Sequence, residues 1–360
     1  MRILTVVGAR PQFIKAAPVS RALAVLGIGE YLLHTGQHYD RTMSGVFFDE
    51  LGLRPPDLNL EVGSGSHAEQ TAAMLIGIER ALNEQKPDWV LVYGDTNSTL
   101  AGALAASKLQ IAVAHVEAGL RSFNRRMPEE INRIMADAVS DLLFVPTDTA
   151  RQNLRLEGQP DDRIVWTGDV MYDVALAFGE IARARSRILD TLALQKQNYV
   201  LATVHRAENT DDPVRLGAII GGLALVGREL PVVLPLHPRT RKAIAHSGVD
   251  MSGIQITDPL GFLDMVRLEQ EAAVIATDSG GVQKEAFFHR VPCVTLRDET
   301  EWVETVTLGW NRVCPPVSPA QTAGVILGAR KTRGVEGNPY GDGAAARKIA
   351  EALRAWGSDE

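Results

Sequence analysis

Cysteine is nearly missing from this chain: Cys293 and Cys314 are the only two among 360 residues. That number excludes a disulfide framework, and Cys293, inside the apolar run VPCVTL, reads as a buried thiol. No stretch approaches the roughly 18 consecutive apolar residues that cross a bilayer. The first residues, MRILTVVGAR, open with one charge and then a strand-like run. They lack the long apolar core and small-residue cleavage site of a signal peptide. A cytoplasmic, reduced protein without membrane attachment is the expectation. Metal-ligand pairs are lacking too: the eight histidines form no HxH or HExxH, and two distant cysteines make no zinc site. The GxSxG nucleophile elbow is also missing.

A positive surplus is absent as well. Lys plus Arg number 37 against 44 Asp plus Glu, a formal charge of -7. That balance argues against nucleic acid and anionic membranes as partners. It leaves a small anionic ligand open, because two or three clustered cations override the total. With 45% apolar and 22% charged residues the composition is that of a globular protein. At roughly 100–200 residues per domain the length implies two domains.

What is present is an alternation of short apolar, β-branched runs with helical patterns. The first series of strands is Ile3–Val7, Glu30–His34, Trp89–Tyr93, Ala112–Val116 and Leu142–Val145, with a strand-like Ile164–Trp166 after it. The second is Val200–Thr203, Val232–Pro235, Gln255–Thr257, Val274–Ala276 and Cys293–Leu296. Strands this uniformly apolar indicate parallel sheets covered on both faces. Ala68, Leu75, Ile78 and Leu82 recur at helical spacing. So do Ile131, Ile134, Met135 and Ala138, behind Pro128 at a first helical position and Glu129–Glu130 in the first turn. The expected fold is α/β, two Rossmann-like doubly wound domains. The boundary falls near Gly168–Phe178. A last helix at Ala344–Leu353, after the Pro/Gly-rich GVEGNPYGDG, reads as a docking helix.

In open α/β sheets ligands gather at the carboxyl ends of strands. After the first strand, Gly8-Ala9-Arg10-Pro11-Gln12-Phe13-Ile14-Lys15 brings Arg10 and Lys15 to a helix start, which suits a phosphate or carboxylate. An ordinary βα turn with solvated cations explains the same residues. Asp95, with Thr96, Asn97, Ser98 and Thr99, follows Tyr93; helix capping is the bland account. His115 and Glu117 share one side of a strand end, as a hydrogen-bonded core pair also would. Glu129 opens a helix and favours its positive end. His205 stands where a strand of the second half ends, and histidine titrates nearest neutral pH. Thr277-Asp278-Ser279-Gly280-Gly281, running from strand into helix, suits phosphate, with Glu285 one turn further on.

Taken in order, GARPQFIKAAP, TGQH, VYGDT, HVEAGLRS, PEEINR, HRAEN, DPLGFLDM, TDSGGVQKEA and NPYGDG resemble the non-hydrolysing UDP-N-acetylglucosamine 2-epimerase family. They run from residue 8 to residue 343. The resemblance implies a glycosyltransferase-B-type fold with the ligand in a central cleft. It divides the chain into 1–170 plus 343–360, with the last helix returning to the first domain, and a UDP-binding domain at 171–342. It implies interconversion of UDP-GlcNAc and UDP-ManNAc by elimination of UDP to a 2-acetamidoglucal and re-addition, with no cofactor and no metal. It assigns Asp95, Glu117, Glu129 and His205 to catalysis. Arg10, Lys15, Ser279, Gly280 and Gly281 fall to the diphosphate and Glu285 to the uridine ribose. Arg133, four residues after Glu129, is expected to orient that acid. A UDP-sugar substrate and a homodimer are the implied partners. A glycosyltransferase of the same fold and a non-catalytic nucleotide-sugar binder are the competing classes.

Two stretches depart from the family pattern. Where many members read TERPE, this chain has Thr300-Glu301-Trp302-Val303-Glu304. After TGQH it has Tyr39-Asp40-Arg41-Thr42-Met43-Ser44, unlike the bacterial pattern tied to a second, activating UDP-GlcNAc. RDETEWVE and SFNRRMPEE are closer to the branch acting on UDP-2,3-diacetamido-2,3-dideoxyglucuronate, with Arg125 and Arg126 as candidates for the sugar's C6 carboxylate.

Overall fold

Thirteen strands are arranged in two sheets among the described residues, and every pairing is parallel. The computed structural model describes residues 1–37, 48, 52–236, 238–247 and 250–356. The segment Tyr39–Ser44 singled out above lies outside them. The first sheet holds β1 (Arg2–Val7), β2 (Gly29–His34), β3 (Leu58–Asn59), β4 (Trp89–Tyr93), β5 (Ala112–Val116), β6 (Leu142–Val145) and β7 (Ile164–Trp166). Its order is β3-β2-β1-β4-β5-β6-β7. The second holds β8 (Val200–Thr203), β9 (Val232–Pro235), β10 (Ile254–Thr257), β11 (Val274–Thr277), β12 (Cys293–Thr295) and β13 (Asn311–Val313), in the order β10-β9-β8-β11-β12-β13. Both orders reverse direction once, between β1 and β4 and between β8 and β11. A crevice opens at such a switch point, beyond the strand carboxyl ends.

The apolar strands noted in the sequence recur to within a residue. Two were missed, β3 and β13. Both are short edge strands, Leu-Asn and Asn-Arg-Val, without an apolar run to announce them. The cores follow from strand alternation. In the second sheet Val200, Ala202, Val232, Val274 and Ala276 pack with Leu216, Ile219, Leu223 and Ile326 of helices Pro213–Val226 and Pro319–Ala329. The alternate residues Leu201, Val233 and Ile275 pack on the other face with Leu268 and Ala286.

The chain divides into two compact units, Met1–Val174 with Asn338–Glu360, and Ala175–Gly337. In the first, Asp173 accepts backbone N–H bonds from Ala345 (3.1 Å) and Ala346 (2.9 Å), anchoring the start of helix Ala345–Trp356. Gly168, at φ 85°, runs against the chain at Tyr340 so closely that a Cβ would lie 2.6 Å from the Tyr340 carbonyl.

One helix reverses its expected faces. Pro128–Val139 forms where the periodicity placed it, but Ile131 and Met135 are 42% and 43% exposed. Its buried residues are Glu130, Asn132, Arg133, Ala136 and Asp137. Ala136 and Val139 pack on the apolar core, while Glu130, Asn132, Arg133 and Asp137 face a polar network at the sheet end.

Candidate active site

In the first unit the switch point is held by Gln12, which is 1% exposed. Its Oε1 accepts the N–H groups of Gly8 (2.8 Å) and Ala9 (3.0 Å). Its Nε2 donates to the Tyr93 carbonyl (2.8 Å) and to Thr99 Oγ1 (3.0 Å). One side chain thus joins the ends of β1 and β4. Gly8 is obligatory here, since a Cβ would fall on the hydroxyls of Ser98 and Thr35.

Two of the carboxylates expected from the sequence, Glu117 and Asp95, are paired with cations. Lys15 Nζ forms an ion pair with Glu117 Oε2, each side chain 11% exposed. Glu117 itself takes a left-handed conformation, φ 73°. Asp95 Oδ2 pairs with Arg133 Nη2, while Arg133 Nη1 donates to Glu130 Oε2 at 2.9 Å. On its own helix the partner of Arg133 is therefore Glu130 at i−3. Glu129, the acid Arg133 was expected to orient, is exposed on the first turn. Glu130, 1% exposed, also accepts from Ser122 N and Oγ (3.0 Å each) and Phe123 N (2.9 Å). Capping explains only part of the segment after β4: Thr96 accepts from Thr99 N and starts helix Asn97–Lys108, which leaves Asp95 ahead of the helix.

Behind these groups lies a charged chain. His115, fully buried, places Nδ1 2.7 Å from Asp137 Oδ1 and Nε2 2.7 Å from the Gly94 carbonyl. Asp137 also receives Arg121 Nη1 (2.7 Å) and the Gly119 N–H (3.1 Å). Burial works against the Asp137 charge, but His115 and Arg121 outweigh it and hold the carboxyl below its ordinary range.

In the second unit Asp278, fully buried, organises the end of β8. It accepts the N–H groups of His205 (3.1 Å) and Arg206 (3.0 Å) and the amide of Asn209 (3.1 Å). His205 Nδ1 lies 3.4 Å from Asp278 Oδ1, and the imidazole is 43% exposed. Ser279 precedes helix Gly280–Phe288 without using its hydroxyl as a cap, and Gly281 is exposed. Gly280 is crowded differently: a Cβ there would lie 2.5 Å from Glu301 Oε1. Burial disfavours the Glu301 charge, yet Arg297 (Nη1 to Oε2, 2.9 Å) and Arg206 bring its carboxyl below the usual range. Trp302, 4% exposed, carries Lys284 Nζ at 4.1 Å from its ring centroid.

The structure thus brings Lys15 to Glu117, Asp95 to Arg133 and His205 to Asp278. Arg10 is half-buried on the first turn of helix Arg10–Val25, and Glu285 is half-buried. His115, noted in the sequence beside Glu117, turns out to bridge Asp137 and the Gly94 carbonyl, while Gln12, Glu130, Asp137 and Asp278 were not picked out as site residues. Among the described residues no group of three or more His, Cys, Asp or Glu is placed to hold a metal ion.

The model of the family described as UDP-N-acetylglucosamine 2-epimerase matches residues 25–354. The chain belongs to the UDP-N-acetylglucosamine 2-epimerase family. Among curated relatives it is 52% identical to the UDP-2,3-diacetamido-2,3-dideoxy-D-glucuronate 2-epimerase of Pseudomonas aeruginosa, over 98% of this chain and 99% of that one. It is 42% identical to the UDP-N-acetylglucosamine 2-epimerase of Methanocaldococcus jannaschii, again over 98% and 99%. The solved structure of the M. jannaschii UDP-GlcNAc 2-epimerase in complex with UDP-GlcNAc and UDP superposes with a TM-score of 0.92 at 41% identity, covering 99% of this chain and all of that one. The Neisseria meningitidis UDP-GlcNAc 2-epimerase bound to UDP-GlcNAc gives 0.89 at 32% identity, covering 99% and 100%. As a UDP-N-acetylglucosamine 2-epimerase family member, the chain is a UDP-sugar 2-epimerase, an isomerase of two parallel-sheet α/β domains.

Proposed function

We propose that the substrate is UDP-2,3-diacetamido-2,3-dideoxy-D-glucuronate, epimerised at C2. The observation that carries this is the 52% identity over 98% of the chain to an enzyme of that name, against 49% to a UDP-N-acetylglucosamine 2-epimerase homolog and 42% to UDP-N-acetylglucosamine 2-epimerases. The buried Trp302 under Lys284, where many family members have arginine, is consistent with a changed contact to the sugar. The exposed Arg125 and Arg126 are available to a C6 carboxylate.

The C2 hydrogen is not adjacent to a carbonyl, so direct deprotonation is very unfavourable. A base removes the C2 proton while the C1–O bond to UDP breaks, leaving free UDP and a 2,3-diacetamido glycal that keeps the C6 carboxylate (a 2-acetamidoglucal in the case of UDP-GlcNAc). UDP then adds back to C1 as an acid delivers a proton to the opposite face of C2. The step is redox-neutral. Asp95, Glu117, Glu129 and His205 supply the acid–base groups. Arg10, Lys15 and the Ser279-Gly280-Gly281 helix start stabilise the departing diphosphate, and Glu285 meets the ribose. The enzyme is a cytoplasmic homodimer that supplies polysaccharide synthesis. Buried free Cys293 and Cys314 support the reducing compartment, and the apolar face of Ile131 and Met135 supports a partner subunit.

Comparison of kcat/KM for the diacetamidoglucuronate nucleotide and for UDP-GlcNAc tests the substrate. The reading expects the former to exceed the latter at least about tenfold, near 1.4 kcal/mol of transition-state discrimination. The second reading, UDP-GlcNAc to UDP-ManNAc, is favoured by the likeness to structures holding UDP-GlcNAc. It wins if the ratio is reversed.

A further inference from the structure

The Gly94 carbonyl lies between the last residue of β4 and Asp95. Gly94 has left β geometry, at φ 60°, and its N–H donates to the Val116 carbonyl at 3.0 Å. Its own carbonyl is met by His115 Nε2 at 2.7 Å. A carbonyl only accepts, so Nε2 donates there. On the other side Nδ1 faces Asp137, a carboxylate that Arg121 and the Gly119 N–H already hold in its ionised form. A carboxylate also only accepts, so both ring nitrogens donate, and the ring bridges two acceptors. Arg121 is fixed in turn by Glu157, at 2.7 Å (Nε) and 2.6 Å (Nη2).

The bridge joins the backbone beside both candidate carboxylates. Asp95 follows Gly94 directly, and Glu117 follows His115 by two residues. A Cβ on Gly94 would lie 3.3 Å from Glu117 Oε2, so a small shift of Gly94 alters the placement of that carboxylate. His115 is fully buried and none of its ring nitrogens is left for a ligand.

We propose that His115 is a positioning residue for the epimerisation: it holds the Gly94 carbonyl against Asp137 and so keeps Asp95 and Glu117 at their reacting distance. This rests on the reading of Asp95 and Glu117 as acid–base groups. It differs from a packing role in what it predicts. A misplacement of about 1 Å in catalytic groups costs about a hundredfold in turnover while ground-state binding is spared.

The test measures kcat, KM, UDP affinity and thermal unfolding for His115→Phe and His115→Gln beside the parent enzyme, with whichever UDP-sugar the parent turns over. Phenylalanine fills the space and donates to neither acceptor; glutamine donates to one but does not bridge both. The expected result is kcat down about a hundredfold in His115→Phe and about tenfold in His115→Gln, with KM and UDP affinity within about twofold of the parent. Should His115→Phe fail to fold, His115→Gln carries the test. A folded variant of either kind with the parent kcat overturns the proposal. So does a kcat loss matched by equal loss of UDP binding, which marks a structural role alone. A parent inactive on both UDP-2,3-diacetamido-2,3-dideoxy-D-glucuronate and UDP-GlcNAc overturns the functional reading itself, an outcome seen before any variant is compared.

Discussion

Lys15 and Glu117, 102 residues apart in the chain, meet as an ion pair in which both side chains are only 11% exposed. Helix Arg10–Val25 delivers the ammonium and the end of β5 delivers the carboxylate. Each charge makes the other tolerable in a site that excludes most water. Removing either partner strands the remaining charge, which costs about 3 kcal/mol. Lys15→Met and Glu117→Gln are each expected to lower unfolding free energy in urea. The double variant is expected to regain part of that loss and to remain inactive. Additive losses in the double variant would show that the pair does not couple.

Glu129 and Glu130 are consecutive and predict opposite phenotypes. Glu129 is exposed, so Glu129→Gln should leave stability within about 0.5 kcal/mol of the parent. Its kcat should nonetheless fall at least about a hundredfold if it works as an acid or base. Glu130 accepts from Ser122, Phe123 and Arg133, so Glu130→Gln should cost about 2 kcal/mol. Urea titration with initial rates separates the two.

Gln12→Ala removes a side chain that ties the ends of β1 and β4 together. The Gly8 and Ala9 N–H groups lose their acceptor. The expected loss is about 3 kcal/mol, measured by urea unfolding, with turnover reduced alongside.

These groups mark the limit of what the sequence makes legible. The strands between the two edges are readable because burial on both faces forces unbroken apolar runs, as in Val200-Leu201-Ala202. β3 and β13 are not, since Leu-Asn and Asn-Arg-Val hold no apolar run, whereas the other edge strands, β7 and β10, keep Ile-Val-Trp and Ile-Gln-Ile-Thr. Helix Pro128–Val139 is legible as a helix, but its apolar spacing points away from the residues it buries. Counting apolar positions misleads where the sheet end is lined by Asp95, His115 and Arg121. Asp278 is defined by partners roughly 70 residues away, and Gln12 joins two neighbours, Gly8 and Ala9, to Tyr93 and Thr99 more than 80 residues on.

Met135→Lys places a charge on the exposed apolar face of helix Pro128–Val139. Monomers are the expected outcome by sedimentation, with stability otherwise unchanged within about 0.5 kcal/mol. A variant that sediments as the parent does would move the proposed dimer interface elsewhere.

Stability is also expected to depend on pH through His289. Burial, with Arg183 adding to it, lowers this imidazole from the ordinary 6.5 to about 4. The folded state therefore binds fewer protons than the unfolded chain between those values. The stability this group lends is complete above pH 6.5 and is lost progressively towards pH 4, in all about 3 kcal/mol. Burial raises Glu30 and Asp173, which work in the opposite direction as pH falls. The parent is thus compared with His289→Gln, and the difference between them should shrink as pH drops from 7 to 4.5. A constant difference contradicts the assignment.

The central claim is inversion at C2 by elimination and re-addition of UDP. Its most direct test is incubation of the purified enzyme with UDP-2,3-diacetamido-2,3-dideoxy-D-glucuronate, and separately UDP-GlcNAc, in D2O without any acceptor, followed by mass spectrometry and proton NMR. The account predicts one deuterium at C2 of the accepted sugar in both epimers, with the nucleotide intact at equilibrium. Epimerisation without deuterium at C2, or no turnover of either sugar, would contradict it.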